Sequence, residues 1–316
     1  MDVLSDILEN IHLNGGVRFR CDMNAPWGMS LPTGNAAEFH LVVRGNAWLR
    51  VAGQDQAIAL QGGDFVALLK GSQHCLSDQP EGQVRPVAEL VGGQSLSGYG
   101  PLRFGGDGLP TELLCGYFSF DRSSLHPLVA ALPPLIHLRG GDLSQAAWLQ
   151  ATLQFMQQET QEARPGAEAV VNRLVGVLFI HMVRRHFAQN PKSAGLLAGM
   201  ADRHIGLSLE MLHKAPHSSW SLEGLARQVG LSRSAFATRF HQLVGQTPMQ
   251  YLALWRMQLA GQLLRDPSLS TASIASKVGF ESPAAFAKAF KKITGSTPGA
   301  FRHSREVSGA KTVHPA

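Results

Sequence analysis

Ser234, Ala237, Thr238 and His241 recur at three- and four-residue steps, the spacing of side chains on one helix face, and Arg233 stands at that face's amino-terminal end. Fifty residues on, Ala284, Ala287, Lys288 and Lys291 repeat the arrangement. These residue types suit a duplex. A guanidinium can grip a guanine edge, hydroxyls take either partner, and methyl groups meet the thymine methyl. Lysine ammonium groups hold phosphates. A second pair of residues offers different chemistry. Glu38 and His40 lie two apart in "EFHLVVRG", so on a strand they share one face and present a carboxylate beside an imidazole.

The helix faces need elements to carry them, and the chain writes those elements twice. "SAFATRFHQLVGQTP" (234–248) and "AAFAKAFKKITGSTP" (284–298) agree at seven of fifteen positions. In the first copy Ser221 caps a short helix, with Gly224 where a full capping box would need Glu or Gln. Leu222, Leu225, Ala226 and Val229 form its inner face, and Gly230 ends it. Ser232 caps the next helix, where Phe236, Phe240 and Leu243 point inward. In the second copy Ile274, Ala275 and Val278 pack inside, Gly279 turns, Ser282 caps, and Pro283 occupies the first turn. Phe286, Phe290 and Ile293 complete that inner face. Two short helices joined by a glycine turn are a helix-turn-helix, whose second helix enters a major groove. Between the copies "PMQYLALWRMQLAGQLLRD" reads as one helix of about 17 residues, roughly 25 Å long. Such a strut can set two recognition helices near one DNA turn apart, roughly 34 Å, on one duplex face.

Composition bounds the rest. At 316 residues the chain suggests two domains, and 44% hydrophobic with 16% charged residues describes a globular protein. No apolar run is long enough to span a bilayer, and "MDVLSDILEN" has acids where a leader peptide carries bases. Cys21, Cys75 and Cys115 lack CxxC spacing and cannot form a full disulfide framework, so a reduced, cytoplasmic protein without membrane contact is expected. Charge is uneven. From Asp202 onward 14 Lys and Arg stand against 6 Asp and Glu, and before it 14 stand against 17, which points the last third alone at a polyanion.

Residues 17–120 read as short strands separated by glycine turns, with a long glycine-rich loop at 91–108. Helices follow at 143–161 and 167–188, the second with Val170, Leu174, Val177, Leu178, His181 and Met182 in an apolar stripe. "AQNPKSAGLLAGM" reads as a linker. The fold class is thus α+β: a sheet domain over 1–140, a helical segment and linker over 141–201, tandem helix-turn-helix motifs over 202–304, and a disordered tail over 305–316.

Residues 206–304 resemble the DNA-binding domain of AraC/XylS transcriptional regulators. The resemblance rests on "WSLEGLARQVGLSRSAFATRFHQLVGQTPMQYLALWRMQLAGQLL" and "IASKVGFESPAAFAKAFKKITGSTPGAFR". It implies binding of double-stranded promoter DNA by both recognition helices and contact with RNA polymerase. The second recognition face departs from the pattern in its many alanines, which shifts it toward methyl and phosphate contacts. "EFHLVVRGNAWLRV" and "GGDFVALLKGSQHCLSD" resemble the strand pairs of the cupin β-barrel that precedes this domain in many such regulators. The Gly-Asp turn, Gly71 and His74 follow the second cupin motif, with Leu69 where proline is usual, and Glu38 stands where metal-binding cupins place a glutamate. "PTG" occupies the place of their paired histidines. The resemblance thus implies Glu38 and His74 as donors for a divalent ion, and strand alternation adds His40, so the expected donor set of Glu38, His40 and His74 is partial. The resemblance also implies that the helices at 143–161 and 167–188 form a homodimer contact.

The arrangement is also similar to oxidant-responsive members of the family, including a reactive-chlorine-responsive one, in which an amino-terminal cysteine is the sensor. Cys21 matches it, and Cys75, beside His74, is the candidate partner, while Cys115 in "LLCGYF" reads as an inert strand residue. A sensor thiol must be exposed and partly ionised. The expectation is a transcription factor, not an enzyme, answering a small molecule or an oxidant. The alternative is a metal-dependent cupin enzyme tethered to a DNA-binding domain.

Overall fold

The computed structural model describes residues 3–10, 13–34, 36–92, 101–119, 132–140 and 195–309, and most of 151–189. The helix expected at 143–161, the linker and the last residues of the tail fall largely outside these. The chain forms two units. One is built on the described residues of Leu13–Phe120 and Leu132–Gln189, the other on those of Met1–His12 and Asn190–Ala316.

Helix α1 (Val3–Asn10) opens the chain. The strands are β1 (Asn14–Asn24), β2 (Gly28–Leu31), β3 (Ala37–Arg44), β4 (Asn46–Val51), β5 (Ile58–Gln61), β6 (Phe65–Leu68), β7 (His74–Ser77) and β8 (Arg85–Pro86). Short helix α2 (Val87–Leu90) follows, then β9 (Pro101–Gly105), β10 (Pro110–Ser119), β11 (Leu135–Leu138) and the long helix α3 (Ala167–Gln189). Six strands form one sheet in the order β11-β6-β3-β10-β1-β9, and five form another in the order β5-β4-β7-β2-β8. Neighbours run antiparallel except β1 with β9 and β2 with β8. Alternation drives the layering. Cys21, Met23, Val42, Val66 and Leu113 from the first sheet meet Met29, Leu49 and Leu76 from the second in one apolar core. Among the described residues the strands pair in two sheets packed around that core, in keeping with the α+β class and the cupin domain expected from the sequence. Strand β9 also occupies part of the stretch expected as a loop, because its backbone pairs with β1 from Arg20 to Asn24. On the outer side, Gly15 of β1 has no side chain, and the space admits Val175 of α3.

The other unit is helical: α4 (Leu196–Ala201), α5 (Arg203–Lys214), α6 (Leu222–Gln228), α7 (Arg233–Val244), α8 (Pro248–Leu263), α9 (Thr271–Lys277), α10 (Pro283–Thr294) and α11 (Pro298–Gly309). Side-chain caps start most of them. Ser221, Ser232 and Ser282 accept from Gly224, Ala235 and Ala285 as the spacing predicts. Thr247 and Gln250 add a full capping box at the head of the strut α8. Asp202 caps α5 through the His204 and Ile205 amides, and it also takes Arg239 Nε of α7 at 2.9 Å. That guanidinium holds the Asp202 carboxyl below its ordinary range. One ion pair therefore ties a helix start to the middle of the first recognition helix.

Three boundaries differ from the sequence reading. The segment 141–201 divides, with α3 belonging to the sheets and α4 to the helical unit. Helix α1 belongs to the helical unit as well, burying Val3, Leu4 and Ile7 and bringing Asp6 Oδ2 to 3.6 Å from His213 Nδ1. Its three apolar side chains lie on one helical face, and helices supply the groove that takes it. The expected disordered tail is helical to Gly309, because Thr297 caps α11 through Ala300 and no proline or glycine follows between Ala300 and Ser308.

Candidate functional site

The two recognition helices repeat one construction. Phe236 and Phe240 of α7 and Phe286 and Phe290 of α10 are fully buried, which turns the other side of each helix outward. Arg233, Ser234, Thr238 and His241 are exposed on α7, as are Ala284, Lys288 and Lys291 on α10. Ala237 and Ala287 are half-buried at the edge of each face. The inner faces depart from expectation at their ends. Leu243 is half-buried and Val244 takes the core position, while Ile293 is 36% exposed. Counted from Phe240, a four-residue step ends about 40° past a full turn and a three-residue step about 60° short of one, so Val244 lies nearer the phenylalanine side than Leu243.

Strut α8 holds the halves together. Its Arg256 donates from Nε to the Pro216 carbonyl at 2.7 Å and from a terminal nitrogen to the Ser218 carbonyl at 2.9 Å. The same guanidinium lies 5.8 Å from the ring centre of Phe280, just beyond the turn of the second motif. Sequence reading missed Arg256, because its partners lie about 40 residues away and its type is common on solvated helices.

In the sheet unit the structure brings Glu38, His40 and His74 together on the buried side of β3 and β7. The two imidazoles meet Nε2 to Nε2 at 2.7 Å, and Glu38 Oε2 lies 3.7 Å from His74 Nε2. His74 Nδ1 is 2.8 Å from the Ser72 carbonyl, which only accepts, so Nδ1 carries the proton. Burial lowers both histidines and keeps them neutral, most strongly His40, which also feels His74 and Arg18. His74 Nε2 is then a lone pair that accepts from His40 Nε2–H. His40 Nδ1 in turn accepts from the Cys115 thiol at 3.0 Å. Burial raises the Glu38 carboxyl, against the pull of Arg18 at 3.8 Å.

The cysteines fall differently from expectation. Cys21 is fully buried in the core, so the exposure that a sensor thiol requires is missing. Cys75 sits between Ser30 and Arg50 on the face of its sheet opposite His74 and Leu76, turned away from Cys21. Cys115 is the residue beside Cys21, and burial together with that neighbour pushes its thiol well up, so it stays protonated. Cys115 pairs directly with His40 across β10 and β3, a register set 75 residues apart and invisible to local pattern. Native protein treated with an aromatic disulfide reagent is expected to label at Cys75 first, with Cys21 and Cys115 reacting only on unfolding. Fast labelling of Cys21 in the folded chain would restore the exposed-sensor reading.

Beside this, a cleft of about 560 Å³ opens along β1, β9 and β10. Arg20, Asp22, Arg44, Arg103 and Glu112 line it. Arg20 lies 2.9 Å from Glu112 and 3.2 Å from Asp22, and Arg103 lies 3.7 Å from Asp22.

Two capped helix-turn-helix motifs with exposed recognition faces, on one chain with a two-sheet domain, define a sequence-specific DNA-binding transcription regulator. The comparisons with known proteins agree. A family model described as "Cupin" matches residues 2–188, and one described as "Helix-turn-helix domain" matches 225–304. An AraC-like transcription regulator of Streptomyces lividans is 32% identical over 304 residues, covering 96% of this chain and 98% of its own. The HTH-type transcriptional regulator AlkR of Acinetobacter baylyi is 31% identical over 310 residues, covering 98% and 100%. The RCS-specific HTH-type transcriptional activator RclR of Escherichia coli K12 is 26% identical over 305 residues, covering 96% and 97%. The chain belongs to the AraC family of transcription regulators that carry an amino-terminal cupin domain. No helix among the described residues is long and apolar enough to cross a membrane.

Proposed function

We propose that this regulator reads promoter DNA with Arg233, Ser234, Ala237, Thr238 and His241 of α7 and with Ala284, Ala287, Lys288 and Lys291 of α10. It does so as a cytoplasmic homodimer that engages RNA polymerase, and its activity is set by a small molecule in the sheet unit. The observation that carries the reading is the repeated burial of Phe236, Phe240, Phe286 and Phe290, which leaves both opposite faces to solvent. The basic balance of the last third supplies the phosphate attraction. Dimerisation draws on α3, where Val170 and Val177 are 40% and 39% exposed, seven residues apart on one face. The charged cleft on β1, β9 and β10 falls in the size range of small-molecule sites, and its mixed arginines and carboxylates suit a polar or zwitterionic effector. A metal-dependent cupin enzyme on the same chain is the second reading, favoured only by the buried Glu38, His40 and His74 cluster. The first reading is tested by selecting duplexes from random sequence with the full-length protein. Enrichment of a paired motif whose affinity drops steeply between about 50 and 200 mM salt is expected. A pool that stays random through successive rounds sinks it.

A further inference from the structure

One stretch of chain, 195–204, holds the first motif at three points. Asp202 divides its carboxylate between two tasks. Oδ1 accepts from the His204 and Ile205 amides at 3.0 Å each and caps α5. Oδ2 accepts from Arg239 of α7, from Nε at 2.9 Å and also from a terminal nitrogen. His204 Nδ1 lies 2.6 Å from the Val229 carbonyl at the end of α6, and a carbonyl only accepts, so Nδ1–H is the donor. Upstream, the Gly195 amide donates at 2.8 Å to the Leu243 carbonyl in the last turn of α7. Carbonyls at helix ends lack partners in their own helix, so these bonds fall where they add most. We propose that Asp202 and Arg239 are positioning residues for base reading, which fix the angle of α7 against α6 and so decide how the first half of the operator is read. This deepens the proposed function and rests on its reading that α7 meets bases.

The placement of Arg239 supports a role other than touching DNA. It lies about 100° round the helix from Thr238, off the side that carries the base-reading residues. Its side chain is half-exposed, and an ion pair open to water adds little to stability. What the pair supplies is an angle. Asp202 is itself fixed to the start of α5, so two donors on one of its oxygens leave α7 little freedom to roll. Bidentate base contacts need that constraint, because recognition groups must be held to within about 0.5 Å and 10–20°. A 10° roll moves a side-chain tip at a radius of about 6 Å by roughly 1 Å. The repeat supplies an internal comparison. In the second copy Ala289 takes the place of Arg239 and packs against the core, so no equivalent pair can form. That face relies on Lys288 and Lys291, whose ammonium groups act on phosphates as point charges and tolerate a roll. The extra constraint thus sits on the copy that carries Arg233.

The test uses full-length protein, the duplex it selects from random sequence, and single-base variants of each half, titrated at several salt concentrations. Asp202→Asn keeps an oxygen to cap α5 and removes the charge, whereas Arg239→Ala keeps the cap and removes the partner. Each should lose about tenfold in discrimination at the base pairs that Arg233→Ala relaxes. Discrimination in the other half and the salt slope should both stay unchanged. The double variant should be no worse than either single one, because both break the same contact. Circular dichroism checks each fold. Should Asp202→Asn fail to fold, Arg239→Ala and Arg239→Gln, at a half-exposed position, decide alone. Uniform weakening on every duplex by Arg239→Ala, with the salt slope lower by about one unit, would make Arg239 a phosphate contact and overturn the assignment. Equal loss of discrimination in both halves would make the pair merely structural and overturn it as well. A wild type that prefers certain bases, with both variants keeping that preference, defeats this inference alone. A wild type without base preference defeats the DNA reading beneath it too.

Discussion

Arg233→Ala is expected to lose discrimination at one or two base pairs of the operator while keeping most of its affinity for unrelated duplex. The loss amounts to about 1–3 kcal/mol, or roughly 5- to 150-fold, if the guanidinium grips a guanine edge with two bonds. The position supports base reading. Arg233 follows the cap residue Ser232 directly, at the helix end that enters the groove, and it is exposed. Among the described residues no ion pair holds it. Arg239, two turns on, makes the contrast, because its charge is taken up by Asp202. Lys291→Ala should behave otherwise, weakening all sequences alike and lowering the salt slope by about one unit. Titrations of labelled operator and its single-base variants, at several salt concentrations, read both quantities from one experiment. Equal loss on every duplex for Arg233→Ala would move that residue from bases to phosphates.

What the sequence made legible was local. The helix-turn-helix motifs show through because their caps, glycine turns and phenylalanine spacing fall within some 25 residues of one another, and the second copy checks the first. The sheet unit was legible in class, because strand alternation and glycine turns are local. The register of β3 against β10 decides that Cys115 meets His40, and nothing near either residue encodes it. The sequence showed Glu38 and His40 sharing a face, because strand periodicity is local, but not that Cys75 turns away from Cys21. Helix α1 was not read from the sequence, for the same reason at a larger scale. Its partners α5 and α8 begin only at Arg203 and Pro248, far along the chain.

Gly279→Ala should destabilise the helical unit far more than Gly230→Ala, although the two glycines occupy equivalent turns. Both adopt left-handed backbone, with φ of 80° and 73°. Alanine in that region costs on the order of 1 kcal/mol at either position. Space separates them. A Cβ on Gly230 meets nothing within 4 Å. One on Gly279 lies 2.6 Å from the His217 carbonyl oxygen, 2.7 Å from His217 Cα and 2.9 Å from an Arg256 nitrogen. Two of those neighbours are backbone, and Arg256 is fixed by its bonds to the Pro216 and Ser218 carbonyls, so relief requires the loop before α6 to move. Overpacking of this kind adds about 1–3 kcal/mol, bringing the total to roughly 2–4 kcal/mol. The movement also has a functional reading. The turn holding Gly279 belongs to the second motif and the 216–218 loop to the first, so separating them changes the spacing of the two recognition helices. Urea unfolding should therefore rank wild type, Gly230→Ala and Gly279→Ala in falling stability. Below the unfolding range, Gly279→Ala should protect only one half of a paired operator in a footprint, whereas Gly230→Ala protects both. Equal stability losses, or full protection by folded Gly279→Ala, would show that the contact at His217 does not set the spacing.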